Sequence, residues 1–199
     1  MKHQRPSRTL SSSRGQSLVE FALVVPISLL LVLGVTEVGY ALLDQHIVTA
    51  LSREGSNLIS RDVSLLDAGT AVGTMSTRPV NFTTGSKVIF SVIRKVSTIG
   101  AANYNYVILY QRRVYGDLSV SGSSALSTAG GSFGGPPDFQ AINSDNDTNL
   151  RVSNMPASLT VATGGLMYVT EIYSTHTLLT PLQNLGVTVP SRIYSIAYF

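Results

Sequence analysis

Glu20 is the residue whose position most constrains its chemistry. It is the single carboxylate inside an almost unbroken apolar run, residues 18–35. A charge placed in hydrocarbon costs ~2.5–3.5 kcal/mol on insertion scales, so Glu20 needs a cationic partner or a place at the headgroup boundary. Gly15 lies five residues before it, at the end of a basic segment. A cation about one helical turn away would serve. Two such charges, on one chain or on neighbours, offset each other's burial.

Two other acidic stretches invite a metal. Asp117-Leu118-Ser119-Val120-Ser121 has the Asp-x-Ser-x-Ser spacing of metal-ion-dependent adhesion sites. Such a site needs a buried strand before it and a distant Thr and Asp. Here Gln111-Arg112-Arg113 precedes it, and a short pattern without context is usually chance. Asp145-Asn146-Asp147-Thr148-Asn149 opens like an EF-hand loop, but its sixth position is Leu150 and its twelfth Pro156, not Gly and Glu. An Asx-rich turn is the simpler reading, with at most an incidental Ca²⁺ contact there. His3, His46 and His176 are scattered, without matched acids nearby in sequence. No nucleophile elbow, phosphate loop or dinucleotide fingerprint occurs. The chain is therefore expected to be no enzyme and to hold no metal or cofactor.

These residues sit on a simple succession of elements. Residues 1–15 form a basic, Ser-rich leader with Lys2, Arg5, Arg8 and Arg14. Residues 16–61 read as one long helix. Its span, about 18–36, covers ~28 Å at 1.5 Å per residue, close to the ~30 Å hydrocarbon core. Ser28 can return its hydroxyl to the helix backbone. Pro26 removes one helical hydrogen bond and should bend the rod, a break that transmembrane helices tolerate. Gly34 and Gly39 are five apart and make no GxxxG face. Basic residues beside a span stay in the cytoplasm, which puts the bulk of the chain outside it.

Beyond the span the helix turns amphipathic. Tyr40, Leu43, Ile47, Leu51 and Leu58 form the apolar stripe, with Asp44, Gln45, Ser52, Arg53 and Ser56 largely elsewhere. Gly55 reads as a weak point, costing ~1 kcal/mol relative to alanine. Ser64, with Asp67 three residues on, predicts a capped helix ending near Ser76. Branched and aromatic residues predict strands at 88–93 and 104–110, extended to 115, joined as an antiparallel hairpin through Gly100 and Asn103. Residues 116–149 are a Gly-, Pro-, Ser- and Asx-rich irregular loop, functional or mobile and the best candidate for variable surface. Strand character returns at 150–155, 158–162 and 166–179. Pro181 and Gly186 bound a further loop, and 193–199 is the last strand. The sum is an α+β chain: a long N-terminal helix, transmembrane then amphipathic, packed on a small antiparallel β-sheet in an extracytoplasmic domain over 62–199.

Charge supports the same layout. Only 13% of residues are charged, and there is no cysteine. Disulfides, thiol nucleophiles and thiolate metal sites are thereby excluded. Losing Lys2, Arg5, Arg8 and Arg14 from the 14 basic residues leaves 10 against 11 acids. The net charge of +3 is thus a leader property with a use in topology; it does not argue for nucleic acid, and no nucleic-acid partner is expected.

The stretch Arg14-Gly15-Gln16-Ser17-Leu18-Val19-Glu20-Phe21-Ala22-Leu23-Val24-Val25-Pro26, with Leu51-Ser52-Arg53-Glu54-Gly55-Ser56 later, resembles TadE-like minor pilins (pseudopilins) of tight-adherence pili. The resemblance covers about residues 14–61. It implies a type IV prepilin-type leader cut between Gly15 and Gln16 by a membrane prepilin peptidase. It implies that Glu20 pairs with the new N-terminus, with Phe21 the aromatic that often follows. Leu18, Leu23, Pro26, Leu30 and Val35 would then pack against the helices of other pilin subunits. The implied locations are the inner membrane and its pilus assembly platform, single-pass with the N-terminus cytoplasmic, then the pilus, supporting adhesion. The alternative is an uncleaved, single-pass membrane-anchored surface binding protein. An ordinary secretory signal is disfavoured, because the apolar run exceeds its usual ~7–15 residues.

Overall fold

The computed structural model describes residues 13–180 and 191–199. The leader through residue 12 and the expected loop around Pro181 and Gly186 lie outside the described residues. Helix α1 runs Ser13–Ser60 and α2 runs Leu65–Met75. Four strands follow: β1 Ser86–Lys95, β2 Val107–Gly116, β3 Leu166–Thr175 and β4 Arg192–Tyr198. They form one antiparallel sheet in the order β2-β1-β3-β4. This is the expected α+β layout. The chain divides into two compact units, among the described residues one holding α1 through Tyr40 with residues 178–180, the other α1 from Ala41 with the sheet.

β1 lies inside the sheet, which explains its composition. A strand with neighbours on both edges and cover on both faces reads as a continuous apolar run rather than an alternation. Ser86 through Ile93 are all buried. Val88, Phe90 and Val92 join Val48, Leu51 and Ile59 of α1 and Leu65, Ala68 and Val72 of α2 in the main core. On the opposite face Ile93, with Leu109 and Val169, packs under Leu126 and Val161.

α2 forms as its cap predicts. The Ser64 hydroxyl oxygen accepts from the Asp67 backbone N–H at 3.1 Å, satisfying an orphan donor of the first turn. The hairpin also forms, but β2 begins at Val107. Residues 104–106 belong to the turn, where Asn105 takes the left-handed backbone (φ 64°) and buried Asn103 donates to the carbonyls of Ser144 and Asp147. β3 stops at Thr175, short of 179. The strands expected at 150–155 and 158–162 do not form. Thr148–Leu150 is a 3-10 turn, and Arg151 makes only an isolated bridge to Ile108. Their apolar residues Leu150, Val152 and Val161 fill the core from loop backbone instead.

The helical stripe also differs from expectation. Tyr40 and Leu43 are exposed, whereas Asp44, Ser52 and Ser56, assigned to the polar face, are buried. Ser52 Oγ lies 2.9 Å from Ser195 Oγ, and Ser56 donates to the Ala197 carbonyl at 3.0 Å. Small hydroxyl side chains let the helix backbone approach β4 while satisfying their own polarity. Gly55 is the closest point. A Cβ there would lie 2.8 Å from Thr170 Cγ2 and 3.2 Å from Phe90 Cε1. The glycine is a packing requirement rather than a defect.

Residues 116–149 are irregular but firmly attached. Lys87 donates to the Gly122 carbonyl at 2.6 Å, Arg112 to Ser124 Oγ at 3.0 Å and the Leu126 carbonyl at 3.1 Å. Part of this segment thus serves as the cover of the sheet's second face. Asp117 is a turn former: its carboxylate accepts from the N–H of Gly85 (2.8 Å) and Ser119 (2.9 Å) and from Ser119 Oγ (2.6 Å). The Gly85 bond first, then those from Ser119, hold this half-buried carboxyl below the usual range. A depressed carboxylate stabilises the fold above its unfolded value of ~3.9 and loses that contribution as pH falls through the folded value. Wild type should therefore melt above Asp117→Asn at neutral pH, the two converging below the carboxylate range. A gap in melting temperature that stays constant on acidification would refute this role.

Candidate functional site

The head of α1 carries the candidate site. Gly15 lies inside the helix, which continues without a break through Pro26. Gln16 and Glu20 come together at i,i+4, the Gln16 Nε2 donating to Glu20 Oε1 at 3.1 Å. Both are exposed. One turn of helix is therefore enough to put a hydrogen-bond donor of residue 16 on the carboxylate.

Below this pair the helix surface is largely apolar and mostly exposed. Leu18 and Phe21 are each 70% exposed, Leu23 62%, Leu30 46% and Val35 65%. Pro26 is exposed too. Among the described residues nothing approaches within 4 Å of where a Cβ would stand on Gly34 or Gly39. Thr36 rather than Ser28 returns its hydroxyl to the helix, donating to the Val32 carbonyl at 2.8 Å. The segment is long and apolar enough to cross a membrane, and its apolar window is 0% buried within the chain. Burying one large apolar side chain contributes ~1.5–3 kcal/mol, so a row of them left open requires lipid or other helices as cover. With an apolar N-terminal helix of this length the chain is suited to membrane anchoring.

Just past the span, Glu37 is buried, accepting from the N–H of Leu179 at 3.2 Å and of Thr180 at 3.0 Å. Sequence reasoning passed over it, because its partners lie over 140 positions away. His176 has a structural role, as expected of a lone histidine. Its Nδ1 lies 2.8 Å from Asp44 Oδ2, a buried pair whose acid is remote in sequence and adjacent in space. The metal-like stretches are otherwise occupied. Asp145 pairs with Arg94 and accepts from Thr98 Oγ1, while Asp147 accepts from the Asn149 N–H at 3.0 Å. Among the described residues no group of three or more His, Cys, Asp or Glu could hold a metal ion.

Comparison with known proteins adds one finding. Residues 15–57 match the family model described as TadE-like protein. No curated protein and no solved structure matches the chain. The matched stretch begins at Gly15, takes in Glu20 and the whole open apolar surface, and ends near the close of α1.

Proposed function

We propose that this chain, TadE-like over its first helix, is a minor pilin (pseudopilin) precursor of a tight-adherence-type pilus. It is inserted in the inner membrane with its N-terminus in the cytoplasm. A prepilin peptidase cuts it between Gly15 and Gln16. The freed helix then joins other pilin subunits in the pilus or its membrane assembly platform, and the globular unit supports adhesion. The observation that supports this reading is the open apolar face of α1, headed by Gln16 and Glu20 directly after Gly15.

The physical logic is one of paired burial. Leu18, Phe21, Leu23, Leu30 and Val35 gain by leaving water for lipid or for neighbouring helices. Glu20 opposes that move unless a cation accompanies it. An ammonium at Gln16, on the same chain or the next, supplies one. A subunit in correct register satisfies both charges, and one out of register leaves a charge bare.

Mass spectrometry of the protein recovered from pilus-forming cells tests the reading. A mature chain starting at Gln16 is expected, and a finished organelle that retains the leader would point to an uncleaved, anchored binding protein instead. In the same cells Glu20→Ala should still insert in the membrane but lose assembly with its partner subunits. Unchanged incorporation would remove the pairing role.

A further inference from the structure

The side chain that would head the mature chain is a reactive one. An N-terminal glutamine can close on itself. Its α-nitrogen, as the free amine, bonds to the side-chain Cδ, and the Cδ–Nε2 bond breaks. One amine proton passes to the departing nitrogen, which leaves as ammonia, and nothing is oxidised or reduced. The product, pyroglutamate, is a neutral lactam, so the terminal charge is lost. In the uncut chain the Gln16 nitrogen is tied in its peptide bond to Gly15 and is out of play. Both groups that ring closure needs lie beside Glu20. The Gln16 carboxamide donates through Nε2 to Glu20 Oε1 at 3.1 Å. The Gln16 α-nitrogen belongs to a helical residue four positions earlier, a neighbour on the helix surface. Glu20 is also the only acid before residue 37, so no other nearby carboxylate in the sequence shares the task.

We propose that Gln16 is a latent site of cyclisation to pyroglutamate and that Glu20 holds it open. The site exists only in a chain cut between Gly15 and Gln16, and so rests on the processing proposed above. Glu20 acts in two ways. A carboxamide hydrogen-bonded to Glu20 must leave it before folding back onto its own α-nitrogen. The carboxylate charge also favours the ammonium over the free amine, and the ammonium has no lone pair with which to attack. The consequence falls on assembly. An open Gln16 offers the cation that Glu20 needs for burial, whereas a closed one leaves the carboxylate bare in hydrocarbon. Glu20 thus preserves the partner on which its own burial depends.

The test uses the whole mature chain in non-ionic detergent micelles at neutral pH. Its leader is replaced by a recognition sequence, so that a site-specific protease releases the chain at Gln16. Mass spectrometry of the N-terminal peptide follows the loss of one ammonia with time. Glu20→Ala should close on the order of tenfold faster than wild type, the factor by which a nearby opposite charge lowers the free-amine fraction. Glu20→Gln keeps an acceptor for the carboxamide without the charge and should fall between the two. Added salt screens an exposed pair, so it should quicken closure in wild type, a readout that needs no substitution. Equal or slower closure in Glu20→Ala, or a wild-type rate indifferent to salt, overturns the guarding role. In pilus-forming cells the assembled subunits should carry an open Gln16. Assembled subunits that begin with pyroglutamate would overturn the guarding role and leave the processing site standing. Subunits that keep the leader would overturn both.

Discussion

Glu171→Ala is expected to destabilise the globular unit by about 3–5 kcal/mol, because three donors lose one buried charged acceptor and a hydrogen bond to a charged group contributes ~1.5–3 kcal/mol. Glu171 is fully buried in β3. Its carboxylate accepts from the Ala125 N–H at 2.7 Å, from the Tyr194 hydroxyl at 2.9 Å and from Ser124 Oγ. The guanidinium of Arg112 shares this environment: burial pulls its pKa down, and the Glu171 charge pushes it back up. Removing the carboxylate leaves three donors without their acceptor, takes away the charge that favours the Arg112 cation, and frees the segment around residues 124–126 from the sheet. Glu171→Gln keeps an acceptor and should cost less. Urea unfolding at neutral pH in detergent measures both. A loss below about 1 kcal/mol for the alanine variant would mean that the loop does not depend on this anchor.

The same cluster predicts an alkaline signature. Burial first, then the Glu171 charge and hydrogen bond, push the Tyr194 phenol far above its ordinary value of ~10. A raised pKa stabilises the fold below the unfolded value and loses that contribution as pH climbs beyond it. Stability should fall above pH ~10, and less steeply in Glu171→Gln, because part of the shift is Glu171's own.

Gly55→Leu should cost about 3 kcal/mol, at the upper end for overpacking a filled core. A Cβ alone would sit 2.8 Å from Thr170 Cγ2, on a stiff β-branched side chain that is itself buried. Gly55→Ala is the finer probe. Its gain of ~1 kcal/mol in helix propensity opposes the clash, so the net change should be small or mildly unfavourable. Thr170→Ser removes the offending methyl. Adding it to Gly55→Ala should recover stability, a positive coupling visible in a double-mutant cycle. A Gly55→Leu chain as stable as wild type would show that α1 does not rest on β1 and β3 at this point.

The sequence carried α1 and its apolar belt. Hydropathy is a local property, and a bilayer selects on it directly, without any partner from elsewhere in the chain. It also carried the Ser64–Asp67 cap and the four strands, because capping and branched-residue clustering act within a few positions. What it misassigned depends on distance. Ser52 and Ser56 look solvent-facing until β4 arrives over 140 positions later, and Gly55 looks like a defect until Thr170 packs on it. Asp44 waits for His176, and Glu37 for Leu179 and Thr180. Residues 116–149 look like open loop because nothing in their own composition announces Glu171 and Arg112. The buried charges and the close helix–sheet contact are decided only when the antiparallel sheet forms, since burial is a property of the assembled packing and no local pattern encodes which remote atom will remove a side chain from water.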